Sequence, residues 1–123
     1  MGYQLTVTEK KDYLHAVVTG QNTRENVMNY LEDVLHECVS RNCSRVLIEE
    51  RLEGPRLGTM DVFDIAAEGS RNARGKLQSI AYVDVNVKGD LMRFGEQVAV
   101  NRGLPIAVFS TVAAAEEWLA KSA

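Results

Sequence analysis

The chain has 123 residues, of which 46% are hydrophobic and 25% are charged, and its formal net charge is −3. This length supports one hydrophobic core, so we expect a single domain over residues 1–123. The basic residues are scattered, which argues against nucleic-acid binding and against a polybasic membrane patch. No run reaches the roughly 20 apolar residues that span a bilayer. The N-terminus does not resemble a signal peptide, and we expect a cytoplasmic protein.

The first part of the chain predicts two strands and a helix. Residues 3–8 alternate between apolar and polar types, as a half-exposed strand does. Residues 13–19 predict a second strand that ends at Gly20, and the short turn between the two favours an antiparallel pair. A helix is predicted over residues 23–41, because apolar residues recur there at spacings of three and four. These residues are Val27, Leu31, Val34, Leu35 and Cys38.

The rest of the chain alternates strands with helices. The predicted elements are a strand over 45–50, a helix that begins near Thr59, a strand over 77–83, a helix over 89–101, a strand over 105–109 and a last helix capped by Ser110. Met60 and Phe63 are expected to face inward from the second helix. The order β-β-α-β-α-β-α-β-α predicts an α/β domain with a mixed, mostly parallel five-stranded sheet flanked by four helices on both faces.

The residue types that usually carry chemistry are sparse. Cys38 and Cys43 are the two cysteines, and with only two histidines their spacing does not suit a zinc site. They are expected to be reduced thiols, with Cys38 on the buried face of the first helix. The sequence has no glycine-rich phosphate loop and no arrangement typical of a nucleophilic triad. We therefore expect no metal, no cofactor and no catalytic residues, and we expect the protein not to be an enzyme.

The element order, the length and the closing stretch resemble SpoIIAA-like proteins, which belong to the wider group of STAS domains. The stretch runs from Pro105-Ile106-Ala107-Val108-Phe109-Ser110-Thr111 through Glu117-Trp118-Leu119. The resemblance implies a binding or regulatory domain, often without enzyme activity. The SpoIIAA-like branch is also compared with lipid-carrying Sec14-type domains, which implies a small apolar ligand.

The same resemblance draws attention to the start of the second helix. The best-known anti-sigma-factor antagonists carry a phosphorylatable serine there, within an Asp-Ser-Ser-Gly run. That run is missing from residues 49–60, where Thr59 is the only hydroxyl. Thr59 is then either a phosphorylation site or a plain helix cap, and the cap is favoured because Thr is a common capping residue.

Ligands of open α/β sheets tend to bind beyond the carboxyl ends of the parallel strands. Here loops are expected to start at Glu49, Asp84 and Ser110. Glu49, Glu50 and Asp84 could bind a divalent cation or act as an acid–base pair. The alternative is that they are solvated loop charges paired with arginines such as Arg51, and it is favoured because exposed charges usually carry no chemistry.

Apolar side chains on the second and third helices extend beyond one stripe. They could form a groove for a lipid or a partner helix, although burial against the sheet or in a homodimer is favoured. We predict a non-enzymatic domain that works through protein contacts or a small apolar, lipid-like ligand. Its ligand or partner surface would comprise Glu50, Arg51, Arg56, Thr59, Met60, Phe63, Asp84, Met92 and Ser110. The alternatives are a small hydrolase or lyase that uses Glu50 and Asp84, and a regulator switched by phosphorylation of Thr59.

Overall fold

The computed structural model describes residues 2–84 and 90–121. Five strands and four helices follow one another in the predicted order. They are β1 (Tyr3–Glu9), β2 (Leu14–Gln21), α1 (Arg24–Ser40), β3 (Arg45–Glu53), α2 (Thr59–Ala73), β4 (Ser79–Asp84), α3 (Asp90–Asn101), β5 (Ile106–Phe109) and α4 (Val112–Lys121). The predicted connection after Asp84 and the predicted helix start at Gly89 fall on residues 85–89, which lie outside the described residues.

The strands form one sheet in the order β1-β2-β3-β4-β5. The first pair is antiparallel and the other pairs are parallel. This arrangement confirms the predicted mixed, mostly parallel sheet flanked by four helices. β3 is the central strand, and in its register Glu50 lies between Val18 of β2 and Asp84 of β4. Because successive strand residues point to opposite faces, Glu49 and Glu50 belong to different sides of the sheet.

The two faces of the sheet carry different numbers of helices. Helices α1, α2 and α3 cover one face, where Val34, Ala73 and Ala99 join the core formed with Val46 and Ile48. We call this side the three-helix face. Helix α4 covers the other face, and its residues Ala115 and Leu119 pack on Leu47, Ala81 and Val83. We call this side the α4 face.

Helix α1 begins where the sequence predicts. The Thr23 hydroxyl accepts a hydrogen bond from the Asn26 amide at 3.1 Å, which satisfies one of the free N–H groups of the first turn. Beyond its end, Asn42 takes a left-handed conformation with φ of 54°. No helix in the described residues is long and apolar enough to cross a membrane.

Three local expectations differ from the structure. Gly20 does not end β2, because it pairs with Tyr3 at φ of 134°, where a side chain would collide with the Gly2 carbonyl oxygen. β3 runs to Glu53 because β2 pairs with it as far as that residue. The hydroxyl that caps α4 belongs to Thr111, which accepts from the Ala114 amide at 3.2 Å, and not to the predicted Ser110.

Candidate functional site

A cavity of about 210 Å³ lies between the sheet and the helices of the three-helix face. Its walls are mainly apolar side chains that the fold leaves only partly buried: Leu31 and Leu35 of α1, Val62 and Ile65 of α2, and Leu91 and Met92 of α3. Helices α2 and α3 approach closely at Gly95, where an added Cβ would lie 3.0 Å from Val62 Cγ1. Around that contact, small residues such as Gly69 and Ala99 leave the space open.

The cavity has one polar end, at the carboxyl ends of β3 and β4. Glu50, Tyr82 and Asp84 line it, and Tyr30 of α1 lies behind them. The hydroxyls of Tyr30 and Tyr82 both donate hydrogen bonds to Glu50 Oε2, and the two hydroxyl oxygens are 2.9 Å apart. Glu50 and Asp84 are register partners on adjacent strands and share a side-chain hydrogen bond. Each of the two carboxyl residues is only 4% exposed.

This environment changes the acidity of Glu50. Burial, followed by the charge of Asp84, raises the Glu50 pKa to about 7 even though the two tyrosine hydrogen bonds lower it. The pKa values of Tyr30 and Tyr82 are raised well above their ordinary value, first by burial and then by the neighbouring Glu50 charge. A carboxyl group near half-protonation at neutral pH therefore faces the cavity.

Arg56 supplies positive charge at the same end of the cavity. It lies between β3 and α2, and its Nη2 donates to the carbonyl oxygens of Leu52 and Gly54 at 3.2 and 3.1 Å. Its Nη1 is 3.9 Å from Asp84 Oδ1. The guanidinium is thus held by backbone oxygens and balances part of the carboxylate charge.

Glu49 lies on the α4 face, in a different setting. His15 Nε2 is 2.8 Å from its Oε1, and Arg51 Nε donates to its Oε2. Burial alone would raise the Glu49 pKa, but the hydrogen bonds and charges of Arg51 and His15 lower it below its ordinary value. This ion-paired group has no part in the cavity lining of the described residues.

The cavity brings together some of the residues predicted for a ligand or partner surface. Glu50, Arg56, Asp84 and Met92 line it. That a ligand uses them stays a prediction.

The other predicted surface residues lie elsewhere in the described part of the chain: Arg51, Thr59, Met60, Phe63 and Ser110. Arg51 points to the α4 face, and Thr59 and Ser110 are exposed at helix starts. The favoured prediction that Thr59 caps α2 is wrong, because Thr59 is the first helical residue and Gly58 takes the cap position without a side-chain hydrogen bond. Phe63 is partly buried, with the Arg102 guanidinium 5.3 Å from its ring centroid. The expectation that Met60 faces inward is wrong, because this residue of the first turn of α2 is 71% exposed.

The favoured interpretation of Glu49, Glu50 and Asp84 as solvated loop charges paired with arginines is wrong about the solvation and the loops, although Glu49 pairs with Arg51 and Asp84 with Arg56. All three lie within strands, and none is more than 6% exposed. The physical reason is that Glu49 and Glu50 lie within β3, where β2 and β4 flank them and β2 pairing continues to Glu53, and that Asp84 is the last residue of β4, paired with Glu50.

Sequence reasoning missed the contribution of Tyr30. Its ring is fully buried and its hydroxyl reaches Glu50. A usable signal existed, because Tyr30 continues the helical spacing between Val27 and Val34. A buried tyrosine usually requires a hydrogen-bond partner for its hydroxyl, which would have pointed to a buried acceptor.

The two cysteines are free, as predicted, and Cys38 is buried in α1. Burial raises the pKa of its thiol to about 12. Among residues 2–84 and 90–121, no three His, Cys, Asp or Glu side chains lie close enough together to hold a metal ion.

The fold is similar to that of a solved structure, an uncharacterized protein from the DUF3478 family with a SpoIIAA-like fold from Shewanella loihica PV-4. The TM-score is 0.56 and the identity 16%, over 96% of this chain and 94% of that chain. The predicted SpoIIAA-like fold is therefore confirmed. Comparison of the sequence with protein-family models and with curated proteins gives no match.

Proposed function

We propose that this domain binds a small apolar, lipid-like ligand in the cavity of the three-helix face. The observation that carries the proposal is the combination of an apolar cavity and one polar end, where Glu50, Tyr82 and Asp84 meet. Ligand pockets commonly combine mostly hydrophobic walls with a few polar groups that orient the ligand. A SpoIIAA-like fold is consistent with a binding domain of this kind.

The cavity volume limits the ligand size. An engineered cavity of about 150 Å³ binds benzene. A cavity of 210 Å³ therefore suits an apolar body of about eight carbon atoms, by the same volume comparison. A longer chain would have to extend between the helices toward solvent. We use 1-octanol as the probe because its tail matches this size and its head carries no charge.

Two substitutions at Gly69 test the proposal. This residue lies in α2 and lines the cavity, and an added Cβ would meet no other atom within 4 Å. Gly69→Leu should fill the cavity and reduce 1-octanol affinity by at least about tenfold, as expected when a bulky group occupies a ligand's space. Gly69→Ala is the matched control, since it gives the same gain in helix propensity without filling the space.

Calorimetric titration with 1-octanol measures both variants against the unchanged protein. Binding by the unchanged protein and by Gly69→Ala, with loss in Gly69→Leu, is the expected result. If the unchanged protein does not bind 1-octanol, or if Gly69→Leu binds it as well as Gly69→Ala does, the cavity is not the binding site and the proposal fails.

A second candidate function is acid–base catalysis by Glu50 and Asp84. The observation in its favour is their contact within the cavity, with a Glu50 pKa of about 7, because a general base works best with a pKa near the working pH. In a hydrolase, Glu50 would take a proton from the attacking water. Hydrolysis of an octanoate ester, abolished by Glu50→Gln, would support this function. A rate no faster than in buffer would reject it for esters.

The domain could instead bind another protein. Thr59 and Met60, which are exposed at the start of α2, would then contribute to the contact surface. A phosphoryl group on Thr59 would lie in the first turn of α2, where negative charge interacts favourably with the helix dipole.

Sedimentation of the unchanged protein and of Met60→Ser tests the homodimer. A dimer that Met60→Ser weakens supports a contact at this position, and a monomer at all concentrations rejects it.

A further inference from the structure

The charged side chains around the cavity are mostly of one sign. Among the described residues that line it, the acidic and basic side chains are five carboxyl groups and one guanidinium: Glu32, Glu50, Glu68, Asp84, Glu96 and Arg56. Glu50 and Asp84 lie at the buried end, where a low dielectric strengthens their field. Glu68 and Glu96 are ion-paired with Arg71 and Arg93. The negative charge is thus concentrated at Glu50 and Asp84, where a ligand with a positive charge is favoured over one with a negative charge.

The hydrogen-bonding groups that line the cavity also favour a positively charged ligand. A tyrosine hydroxyl has one proton, and those of Tyr30 and Tyr82 are both given to Glu50. Arg56 donates to backbone carbonyls, as described above. Two further donors that line the cavity, the Asn22 amide and the Ser70 hydroxyl, also donate to backbone carbonyls, at 3.0 and 2.6 Å. These donors are engaged within the protein, and the Asn72 amide, which also lines the cavity, offers both donors and an acceptor. Carboxylate and hydroxyl oxygens retain lone pairs that can accept from a ligand.

We infer, on the basis of the proposed binding function, that the ligand carries a protonated amine at its polar end, held by the carboxylates of Glu50 and Asp84. An ammonium group has donors and no acceptor, so it complements a site rich in acceptors. Its charge also offsets the repulsion between the two carboxylates. A carboxylate head would add a third negative charge and would meet the single guanidinium of Arg56. An alcohol head would supply one donor and no charge.

Proton balance follows from this assignment. The amine arrives protonated, and Glu50 is about half protonated near neutral pH because its pKa is about 7. Binding favours the ionised carboxylate, so the Glu50 proton is released to solvent. The other groups around Glu50 are Tyr30 from α1, Tyr82 and Asp84 from β4, and Arg56. Amine affinity should therefore fall as the pH drops below about 7 and level off above it.

Calorimetric titration with octylamine, 1-octanol and octanoate separates the contributions of tail and head. These probes share one tail length and differ in the charge of the head. We expect octylamine to bind at least about tenfold more tightly than 1-octanol, and octanoate to bind more weakly than 1-octanol, since one favourable charge contact is worth about that factor. Octylamine titrations in two buffers of different ionisation enthalpy should show release of about half a proton at pH 7.

Matched substitutions identify the carboxylate that binds the ammonium group and releases the proton. Glu50→Gln should lower the affinity ratio of octylamine to 1-octanol, because only the Asp84 carboxylate remains, and should abolish the proton release. Glu49→Gln makes the same change one residue away, on the α4 face, and should preserve both. The proton-release measurement needs no variant, so the inference stays testable even if Glu50→Gln does not fold.

The outcomes distinguish the two proposals. If 1-octanol binds but octylamine binds no better, or if octylamine releases no proton, the amine inference is overturned and the binding function stands. If Glu50→Gln retains the full preference for octylamine, the assignment to Glu50 is overturned. If 1-octanol does not bind, the proposed function fails and this inference, which rests on it, fails too.

Discussion

Glu49 and Glu50 are consecutive residues of one strand, both nearly inaccessible to solvent, and their surroundings shift their pKa values in opposite directions. Glu49 faces His15 and Arg51, whose hydrogen bonds, together with the charge of Arg51, favour its ionised form. Glu50 faces Asp84, whose negative charge adds to the effect of burial and favours the protonated form. Desolvation is the largest contribution to the raised Glu50 pKa and the charge of Asp84 adds to it, whereas at Glu49 the interactions with Arg51 and His15 outweigh desolvation.

The same contrast extends to the packing on each side. On the α4 face, Leu47, Ala81, Val83, Ala115 and Leu119 are at most 1% exposed and form a filled core. On the three-helix face, the side chains between α2 and α3 are only partly buried and surround a cavity. The α4 face is thus filled by its side chains, whereas the three-helix face has a buried core next to the sheet and a cavity between its helices.

A pair of leucine substitutions tests this contrast in packing, with the largest expected effect. Leu119→Ala should lower the free energy of unfolding by about 3 kcal/mol, because it leaves a void in a filled core. Leu91→Ala should cost about 1 kcal/mol or less, because Leu91 already borders open space. Urea unfolding of both variants measures the difference. Equal losses would mean that the cavity is closed in solution.

Glu50→Gln tests the electrostatic contrast. Its expected effect on the free energy of unfolding is similar to that of Leu119→Ala or slightly smaller. The Glu50 pKa rises from 4.5 in the unfolded chain to about 7 in the fold, so the native state holds an extra proton between these pH values. Its contribution to stability is complete below pH 4.5 and is lost as the pH rises through 7. Relative to Glu50→Gln, the unchanged protein should lose about 3 kcal/mol of stability between pH 4 and pH 8. A constant difference across this range would contradict the prediction.

Glu49→Gln should give the smallest effect and the opposite slope. The Glu49 pKa is lowered in the fold, so its contribution to stability is present above the unfolded pKa and is lost as the pH falls through the folded value. Arg51 is half exposed, and solvent screening should limit the contribution to about 1 kcal/mol or less. The same unfolding titration, carried down to pH 3, measures it. A stability difference that grows on acidification would show that the ion pairs do not stabilise the fold.

Local patterns predicted the elements that depend on local physics. The periodicity of Val27, Val34 and Cys38 predicts α1, and Thr23 provides its cap. The short apolar run at residues 46–48 predicts the central strand, and the alternation of elements predicts a parallel sheet. The rule that ligands bind at strand carboxyl ends also pointed to Glu50 and Asp84, which now lie at the polar end of the cavity. Their burial was not foreseen, because it depends on how far neighbouring strands extend beside β3.

The sequence by itself determined the order of strands and helices, because hydrophobic periodicity and capping act over a few residues. It also placed Glu50 and Asp84 near the carboxyl ends of neighbouring strands. Only the tertiary structure decided that Tyr30, twenty residues away from Glu50, donates to it, and that α2 and α3 leave a cavity beside it. The physical reason is that burial, charge pairing and packing gaps arise from residues distant in the chain, whose meeting no local pattern encodes.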